Sequence, residues 1–196
     1  MKKKIYIVFL ACSLLATGLW TWRYRSLNAY YSSMTNRSKE VFSMREIIPF
    51  EADFLTDDIQ AAGCSIRVDD FEIVDFDSYS NQNSLIETTH KPEKLALVYV
   101  TLFNEGSDAT NVLLTAFRLH GLDNYVGMSW DVLLATNPVL EGNYDIYLPP
   151  DTECGLIIPF ELHSSLFGGD TWRNLDSYEF FFHVTSYPTE KDIQVQ

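Results

Sequence analysis

The sequence predicts an all-β fold, an antiparallel immunoglobulin-like β-sandwich, preceded by one N-terminal transmembrane helix. Residues 43–196 contain six or seven short apolar or alternating segments, separated by turns rich in Gly, Pro, Asn and Asp. No strand-like segment alternates with a long helical pattern, which argues against a parallel α/β sheet. Aromatic residues make up 14% of the chain, and Phe and Tyr favour pleated sheets. A closed β-barrel is the alternative architecture.

The first 25 residues predict a membrane anchor. Residues 5–22 form an uninterrupted apolar run that follows three lysines. At about 1.5 Å per residue such a helix spans roughly 27 Å, close to the hydrocarbon thickness of a bilayer. Thr17 and Thr21 are tolerated there because their hydroxyls can donate to carbonyls one turn back. Trp20, Trp22 and Tyr24 are residues that anchor at a lipid–water interface. We expect a retained signal anchor at 1–25, with its N-terminus inside and a single-pass topology in the cell membrane that leaves the C-terminal domain extracytoplasmic.

Two other interpretations of this segment remain open. Ala16-Thr17-Gly18 offers small residues at the −3 and −1 positions of a signal-peptidase site, so the segment is also compatible with a cleaved signal peptide. Phe9-Leu10-Ala11-Cys12 loosely matches the cleavage motif of a lipoprotein. Cleavage at Cys12 leaves a second apolar stretch uncut, which favours the retained anchor.

Charge divides the chain sharply. The first 25 residues contain five basic residues and no acid. The chain has 14 basic residues and 27 acids, so residues 26–196 carry nine basic residues and a net charge of −18. A domain this acidic repels phosphate backbones, which excludes nucleic acid as a partner. It also repels an anionic lipid surface, so we expect it to stand away from the bilayer.

The remaining chain divides into a juxtamembrane stalk at residues 26–42 and an ectodomain at residues 43–196. Pro49 predicts an edge element at the start of the ectodomain. The predicted strands are residues 64–77, 95–103, 112–119, 144–148, 155–162 and 178–185. Residues 95–103 carry apolar residues on both alternating faces, which predicts a central strand, and Pro159 predicts an edge or a bulge. Residues 129–136 predict one short helix, with Ser129 as N-cap and Asn137-Pro138 as its end.

Two cysteines, Cys64 and Cys154, lie in the ectodomain, where a disulfide can persist. Each precedes or opens a predicted strand. If the two strands are antiparallel neighbours, those starts lie at opposite ends and exceed the reach of about 6 Å between bridged Cα atoms. Two free, buried thiols are therefore favoured over a disulfide.

Neither the acids nor the histidines form a recognisable metal motif. From Asp75 the sequence supplies oxygens at several EF-hand positions, but Ser80 replaces the required Gly and Ile86 replaces the final Glu. A solvated strand face running into a polar loop is favoured. The four histidines stand singly, without zinc-ligand spacing, and His183 is expected on the outer face of its strand.

The aromatic residues give the one indication of binding. The ectodomain has many large aromatic residues for its size: Trp130, Trp172, Tyr125, Tyr144, Tyr147 and Tyr178. Core packing is one explanation, and an exposed patch that binds a protein partner or a glycan is the other.

Several segments in the second half carry a family resemblance. They are LALVYVTLFNEG (95–106), SWDVLLATNP (129–138), LPPDTECGLIIPFEL (148–162), the tryptophan at 172 and YEFFFHVTSYPTEKDI (178–193). With the lysine-led anchor and SMREIIPFE, this order resembles a domain-of-unknown-function family of membrane-anchored proteins in Gram-positive bacteria. The resemblance implies an immunoglobulin-like, or telokin-like, ectodomain, and it implies no activity and no site residues.

The sequence contains no nucleophile elbow, phosphate-binding loop or dinucleotide fingerprint. We therefore expect no enzyme and no cofactor. The favoured function is an extracytoplasmic binding or interaction module, held to the membrane by its N-terminal helix, whose partner is an envelope component or another membrane protein. A cell-envelope hydrolase that uses carboxylates and a passive assembly or spacer subunit are the alternatives.

Overall fold

The computed structural model describes residues 13–14, 17–25, 38–56, 59–83, 91–121 and 124–196. The chain divides into two units, residues 1–37 and residues 38–196. In the first unit residues 17–25 are helical. Thr17 Oγ1 donates to the Ser13 carbonyl and Thr21 Oγ1 to the Thr17 carbonyl, both at 2.8 Å, which are the hydrogen bonds expected from the sequence.

The predicted membrane span lies largely outside the described residues. Of residues 5–22, positions 5–12, 15 and 16 are among those that the structure does not describe, and they include Cys12 and Ala16. Within the described ranges, no helix combines the length and the apolar character needed to cross a membrane. The transmembrane helix and both cleavage sites therefore remain predictions.

The second unit consists mainly of strands, and its described residues include three short helices. Its strands are β1 (Ser38–Ser43), β2 (Ile48–Pro49), β3 (Cys64–Asp75), β4 (Lys94–Asn104), β5 (Thr110–Leu113), β6 (Arg118–His120), β7 (Tyr125–Val126), β8 (Asp145–Leu148), β9 (Thr152–Leu162), β10 (Phe181–Thr185) and β11 (Thr189–Gln194). Its α-helices are α1 (Phe76–Asn83), α2 (Trp130–Thr136) and α3 (Gly169–Arg173). Single 3₁₀ turns occur at Leu114–Ala116, Pro138–Leu140, Ser164–Leu166 and Leu175–Ser177.

The strands form two main sheets. The five-stranded sheet has the order β1-β11-β10-β6-β7 and the four-stranded sheet the order β2-β3-β4-β9, while β5 and β8 form a separate pair. Their inner faces meet in one core, where the Phe160 and Phe182 rings lie 6.2 Å apart between the two sheets. The predicted β-sandwich is thus confirmed. One strand pair departs from the predicted antiparallel pattern, because β1 runs parallel to β11.

The four-stranded sheet is covered on both faces. β4 pairs with β3 on one side and β9 on the other, which confirms the central strand predicted at residues 95–103. Ala96 and Val98 face the main core, whereas Leu95 and Leu97 face a second cluster that includes Phe76 of α1 and Val132 of α2. Two covered faces explain why apolar residues occupy both alternating sets of positions in this strand.

The outer edge of β9 is capped by a side chain. β9 contains Pro159 and is an edge strand of the four-stranded sheet, paired with β4, which agrees with the edge predicted at this proline. Asn137 Nδ2 donates to the Ile157 carbonyl at 2.7 Å, and Asn137 Oδ1 accepts from the Ile157 amide at 2.8 Å. The residue that ends α2 therefore replaces a neighbouring strand at one position of this edge.

Four features of the unit differ from the sequence-based expectation. The segment predicted as one strand at 112–119 is β5, a 3₁₀ turn and β6. The polar segment 76–83 is helix α1, whose first turn is capped by Asp75 Oδ1 accepting from the Ser78 amide at 2.9 Å. A strand at Thr189–Gln194 follows the one predicted as last. Finally, β1 begins at Ser38, within the predicted stalk, and the division at residues 25 and 42 otherwise stays a prediction.

Candidate functional site

Strand register brings two histidines and an aspartate together on the five-stranded sheet. Phe182 and Ile193 are paired across β10 and β11 and point into the core. Because side chains alternate along a strand, the next pair, His183 and Asp192, lies on the outer face. His120 reaches the same face from β6, where its neighbour Phe181 on β10 stacks against its ring. We call His120, His183, Asp192 and the two residues that approach them from the sheet edge, Lys39 and Glu190, the histidine–aspartate cluster.

Asp192 is the centre of this cluster. Its side chain is fully buried, and its Oδ1 lies 2.8 Å from His183 Nδ1. Its Oδ2 lies 3.2 Å from His120 Nε2 and 2.7 Å from Lys39 Nζ. Lys39 Nζ also contacts Glu190 Oε1 at 3.0 Å, and its side chain is half exposed. One carboxylate therefore contacts three nitrogen groups.

The charges of the cluster support one another. Burial alone would raise the pKa of the Asp192 carboxyl, but the hydrogen bonds to His120, His183 and Lys39 outweigh burial and hold its pKa far below the usual range. The hydrogen bond to Asp192 raises the pKa of His120 and also that of Lys39. The aspartate is thus ionised at neutral pH.

The structure places the cluster's donor atoms at metal-binding distances. One ligand atom from each of His120, His183 and Asp192 lies within 4.8 Å of the other two. Within the described ranges, this is the one group of three His, Cys, Asp or Glu side chains close enough to hold a metal ion. This group was not predicted from the sequence, because His120 and Asp192 are 72 positions apart in the chain and come together only in the folded sheet.

A second buried charge lies on the opposite face of β11. Lys191 Nζ contacts Asp53 Oδ2 at 2.8 Å and Glu51 Oε2 at 2.9 Å, and it donates to the Pro49 carbonyl at 2.7 Å. The side chains of Lys191 and Asp53 are 3% and 5% exposed. Burial alone would lower the pKa of Lys191, but the hydrogen bonds to Asp53 and Glu51 outweigh it and raise that pKa. We call these residues the lysine cluster.

Four exposed apolar residues belong to α2, to β8 or to the residues next to them. The Trp130 and Tyr144 rings meet edge to face with their centroids 5.2 Å apart. Tyr147 is 65% exposed and Val139 55% exposed. We call these four residues the aromatic surface. Of the predicted aromatic residues it contains Trp130, Tyr144 and Tyr147, and Val139 completes it.

A groove of about 380 Å³ adjoins the aromatic surface, and Tyr147 and Val139 form part of its wall. Its polar lining consists of Asn111, Glu141, Asn143 and Asp145. The turn that forms its rim is left-handed at Glu141 and Gly142, with φ values of 50° and 85°. The groove combines the Tyr147 ring and aliphatic side chains with amide and carboxylate groups, so it offers both apolar contacts and hydrogen-bond partners.

The other three predicted aromatic residues lie elsewhere, and Tyr178 packs against Phe167 and Phe180. Tyr125 is 71% exposed and its ring lies 5.6 Å from that of His120, so it borders the histidine–aspartate cluster. Trp172 is partly buried, packs against Phe167 at 6.0 Å and lies beneath Lys94 Nζ at 5.5 Å. Trp172 thus contributes to packing.

Cys64 and Cys154 are both free. Cys64 pairs with Asn104, and Cys154 pairs with Leu102, on opposite sides of β4. The two cysteine-bearing strands are therefore two strand spacings apart, about 10 Å, which is beyond disulfide reach. The reason differs from the expected one, because these starts lie at the same end of the sheet with β4 between them. Burial raises the pKa of both thiols.

The remaining candidates have local roles. Asp77, Asn81 and Asn83 belong to helix α1, so the described part of the EF-hand-like segment is not a calcium loop. His163 lies near two carboxylates, with 3.4 Å between Nε2 and Glu161 Oε2 and 3.7 Å between Nδ1 and Glu93 Oε2. His90 lies outside the described residues.

Comparison with known proteins identifies the class of this chain. Residues 39–191 match a family described as a domain of unknown function, DUF5028, and the chain belongs to that family. The predicted membership in a family of unknown function is thereby confirmed. No curated protein matches the chain.

Three solved structures are similar to the chain at low sequence identity. The ycdA protein of Bacillus subtilis, a lipoprotein candidate, is 12% identical with a TM-score of 0.43, and the match covers 70% of this chain and 38% of that one. The yjhA protein of Bacillus subtilis is 11% identical with a TM-score of 0.44, over 76% and 85% of the two chains. An uncharacterized β-sandwich protein of Clostridium difficile is 7% identical with a TM-score of 0.43, over 82% and 96%. These similarities are too distant to assign a function.

Proposed function

We propose that this protein is a non-enzymatic extracytoplasmic binding module, anchored to the cell membrane by residues 5–22, that binds a neutral, hydroxyl-rich glycan of the cell envelope. The observation that supports the proposal is the aromatic surface next to the groove. Trp130 and Tyr144 are exposed and contact each other, and the exposed Tyr147 lies in the groove wall three residues after Tyr144. Isolated exposed apolar residues need no explanation, but a group of them does.

The chemistry of the groove favours a glycan. Aromatic rings pack against the C–H faces of sugar rings, and Asn side chains both donate to and accept from hydroxyls. Glu141 and Asp145 can accept further hydroxyl hydrogens. The same two carboxylates repel phosphate- or carboxylate-bearing polymers, so the ligand is neutral or weakly cationic.

Calorimetric titration of the full-length chain with a neutral N-acetylglucosamine hexamer tests the proposal. We expect saturable binding that is lost in Tyr147→Ala and weakened at least about tenfold in Trp130→Ala, since each removes a stacking ring. Tyr125→Ala is the matched control, because Tyr125 is similarly exposed but borders the histidine–aspartate cluster instead of lining the groove. Equal loss in the control, or no saturable heat with wild type, rejects the glycan.

A carboxylate hydrolase is the second candidate, since Glu141 and Asp145 line the same groove. Incubating the hexamer with the protein and separating the products distinguishes the two functions. A binding module leaves the hexamer intact. Shorter products that disappear in Glu141→Gln and Asp145→Asn establish the hydrolase instead.

The membrane location is supported by the lysine-led apolar run and by the exposed interfacial aromatics of residues 17–25, where the Trp20 and Tyr24 rings stack at 5.8 Å. Fractionation with protease treatment of intact cells tests it. We expect the chain in the membrane fraction and its C-terminal domain accessible to protease. A chain that is released without residues 1–18 supports the cleaved signal peptide.

A further inference from the structure

The far nitrogens of both histidines in the histidine–aspartate cluster are already engaged. His120 Nδ1 lies 3.2 Å from the Gly121 carbonyl, which can only accept, so this nitrogen carries a hydrogen. His183 Nε2 lies 3.0 Å from Ser186 Oγ. The Ser186 hydroxyl donates its own hydrogen to the Leu55 carbonyl at 3.1 Å, so Ser186 Oγ accepts from His183 Nε2.

These contacts fix which nitrogens face Asp192. A neutral imidazole carries one hydrogen, and in both rings that hydrogen is on the far nitrogen. His120 Nε2 and His183 Nδ1 therefore both point a lone pair at the carboxylate oxygens of Asp192, at 3.2 and 2.8 Å. An imidazole lone pair and a carboxylate oxygen are both hydrogen-bond acceptors, and at these distances they repel each other unless a positive charge lies between them.

Two arrangements supply that charge. In the first, both rings are protonated, which places two imidazolium ions with centroids 6.5 Å apart next to the Lys39 ammonium. In the second, one divalent ion lies between the two lone pairs and the carboxylate. The second arrangement concentrates the same charge at one point and removes the repulsion between the rings.

We propose that His120 Nε2, His183 Nδ1 and the Asp192 carboxylate form a binding site for one divalent transition-metal ion, for which zinc is the best chemical fit. Imidazole and carboxylate together suit zinc and its first-row neighbours, whereas calcium takes oxygen ligands. The Gly121 carbonyl and the Ser186 hydroxyl have the orienting role that such partners play around ligating histidines.

Lys39 competes with the metal. Its ammonium occupies the Oδ2 side of Asp192 at 2.7 Å, and metal binding displaces it. Its side chain is half exposed and Glu190 is already in contact with it, so an alternative partner is available. Removing this ammonium should therefore strengthen metal binding, an effect that a purely structural cluster does not produce.

Competition titration of the full-length chain against a chromophoric zinc indicator tests the proposal. The background carries Cys12→Ser and Cys154→Ser, because a free thiolate also binds zinc. We expect one zinc ion per chain, binding weakened about 100-fold or more in His120→Ala and His183→Ala, and no saturable binding of calcium. His163→Ala is the matched control, since it removes a histidine flanked by carboxylates outside the cluster. Cobalt absorption bands in the visible region, present in wild type and absent in both cluster variants, give a second readout.

Lys39→Met keeps the test decisive when a cluster variant fails to fold. It should bind zinc at least about tenfold more tightly than wild type, since a competing cation is removed. Stoichiometric binding by wild type or by Lys39→Met, lost with either cluster histidine, supports the site. Zinc binding that survives His120→Ala, or no stoichiometric binding in wild type and in Lys39→Met, overturns it. The site is separate from the groove, so failure here leaves glycan binding unaffected.

Discussion

Lys191 and Asp192 are adjacent on β11 and both are buried, yet their surroundings differ. Lys191 points to the core side of the five-stranded sheet and contacts two carboxylates and one carbonyl. Asp192 points to the outer face and contacts a lysine and two histidines. One strand thus carries a buried cation on one face and a buried anion on the other.

The lysine cluster is held by groups from one segment, residues 49–53. Lys191 Nζ donates to the Pro49 carbonyl and to Glu51 Oε2, whose side chain is 65% exposed, and forms an ion pair with the buried Asp53 carboxylate. Asp53 Oδ1 also accepts from the Thr189 amide at 3.1 Å, which joins that segment to β11. These contacts define a structural ion pair.

The histidine–aspartate cluster is adjustable. Lys39 is half exposed, so its ammonium can move into solvent and the charge around Asp192 can change without unfolding. Burial of a charge therefore does not by itself define a functional group. A partner that can leave, as Lys39 can, distinguishes the candidate site from the structural pair.

The largest expected effect is on the lysine cluster. Lys191→Met leaves the buried Asp53 carboxylate without its cation and should lower the free energy of unfolding by about 3–5 kcal/mol. Urea denaturation followed by tryptophan fluorescence measures it. Adding Asp53→Asn to Lys191→Met should recover part of the loss, because it removes the unpaired charge. A loss below about 1 kcal/mol in the single variant contradicts a structural role.

Asp192→Asn should cost less, about 1–3 kcal/mol in the presence of a chelator, despite the complete burial of Asp192. Lys39 is half exposed and can return to water, so its charge is not left unpaired in the interior. Glu190→Gln serves as the control and should change stability by less than about 0.5 kcal/mol. If Asp192→Asn destabilises as much as Lys191→Met, the proposed difference between the clusters is wrong.

Much of the fold could be predicted from the sequence alone. The sandwich, the central strand at 95–103 and the edge strand at Pro159 follow from local apolar patterns, and each agrees with the structure. The short helix at 129–136 was also correctly placed. The parallel pairing of β1 with β11 was missed, because a polar segment at 38–43 gives no local sign of its distant partner.

The two candidate sites also differ in how far the sequence predicts them. Trp130 and Tyr144 were identified from residue type alone, since exposed aromatics indicate binding. The histidine–aspartate cluster depends on register between three strands, and a bulge next to His183 shifts the pairing of β10 with β11 by one residue. The sequence held one weak signal, because His183 and Asp192 lie on two strands that follow one another in the chain. That signal becomes informative only once β10 and β11 are paired.

The third prediction concerns alkaline pH. The pKa of Lys191 is raised in the folded chain, so its contribution to stability is complete below the unfolded value of about 10.4 and is lost as pH rises through the folded pKa. The stability difference between wild type and Lys191→Met should therefore shrink above about pH 10.4, by at most about 1.4 kcal/mol per pH unit. Urea denaturation at a series of pH values measures this difference. Other groups that titrate there cancel between the two proteins, and a difference that stays constant to pH 12 is incompatible with the ion pair.

The smallest expected effect separates the two lysines. Lys39→Met should change the free energy of unfolding by less than about 1 kcal/mol with a chelator present, because an ion pair with a half-exposed lysine contributes little. Thermal unfolding with and without zinc measures it, and zinc should raise the midpoint of Lys39→Met more than that of wild type, since the variant binds the ion more tightly. The same substitution type at Lys191 should give the opposite pattern, a large loss without zinc and no added response to it. A large loss of stability in Lys39→Met would show that the Lys39 ammonium is a fixed structural partner of Asp192, as Lys191 is of Asp53. That result would remove the distinction between the two clusters on which the metal site rests.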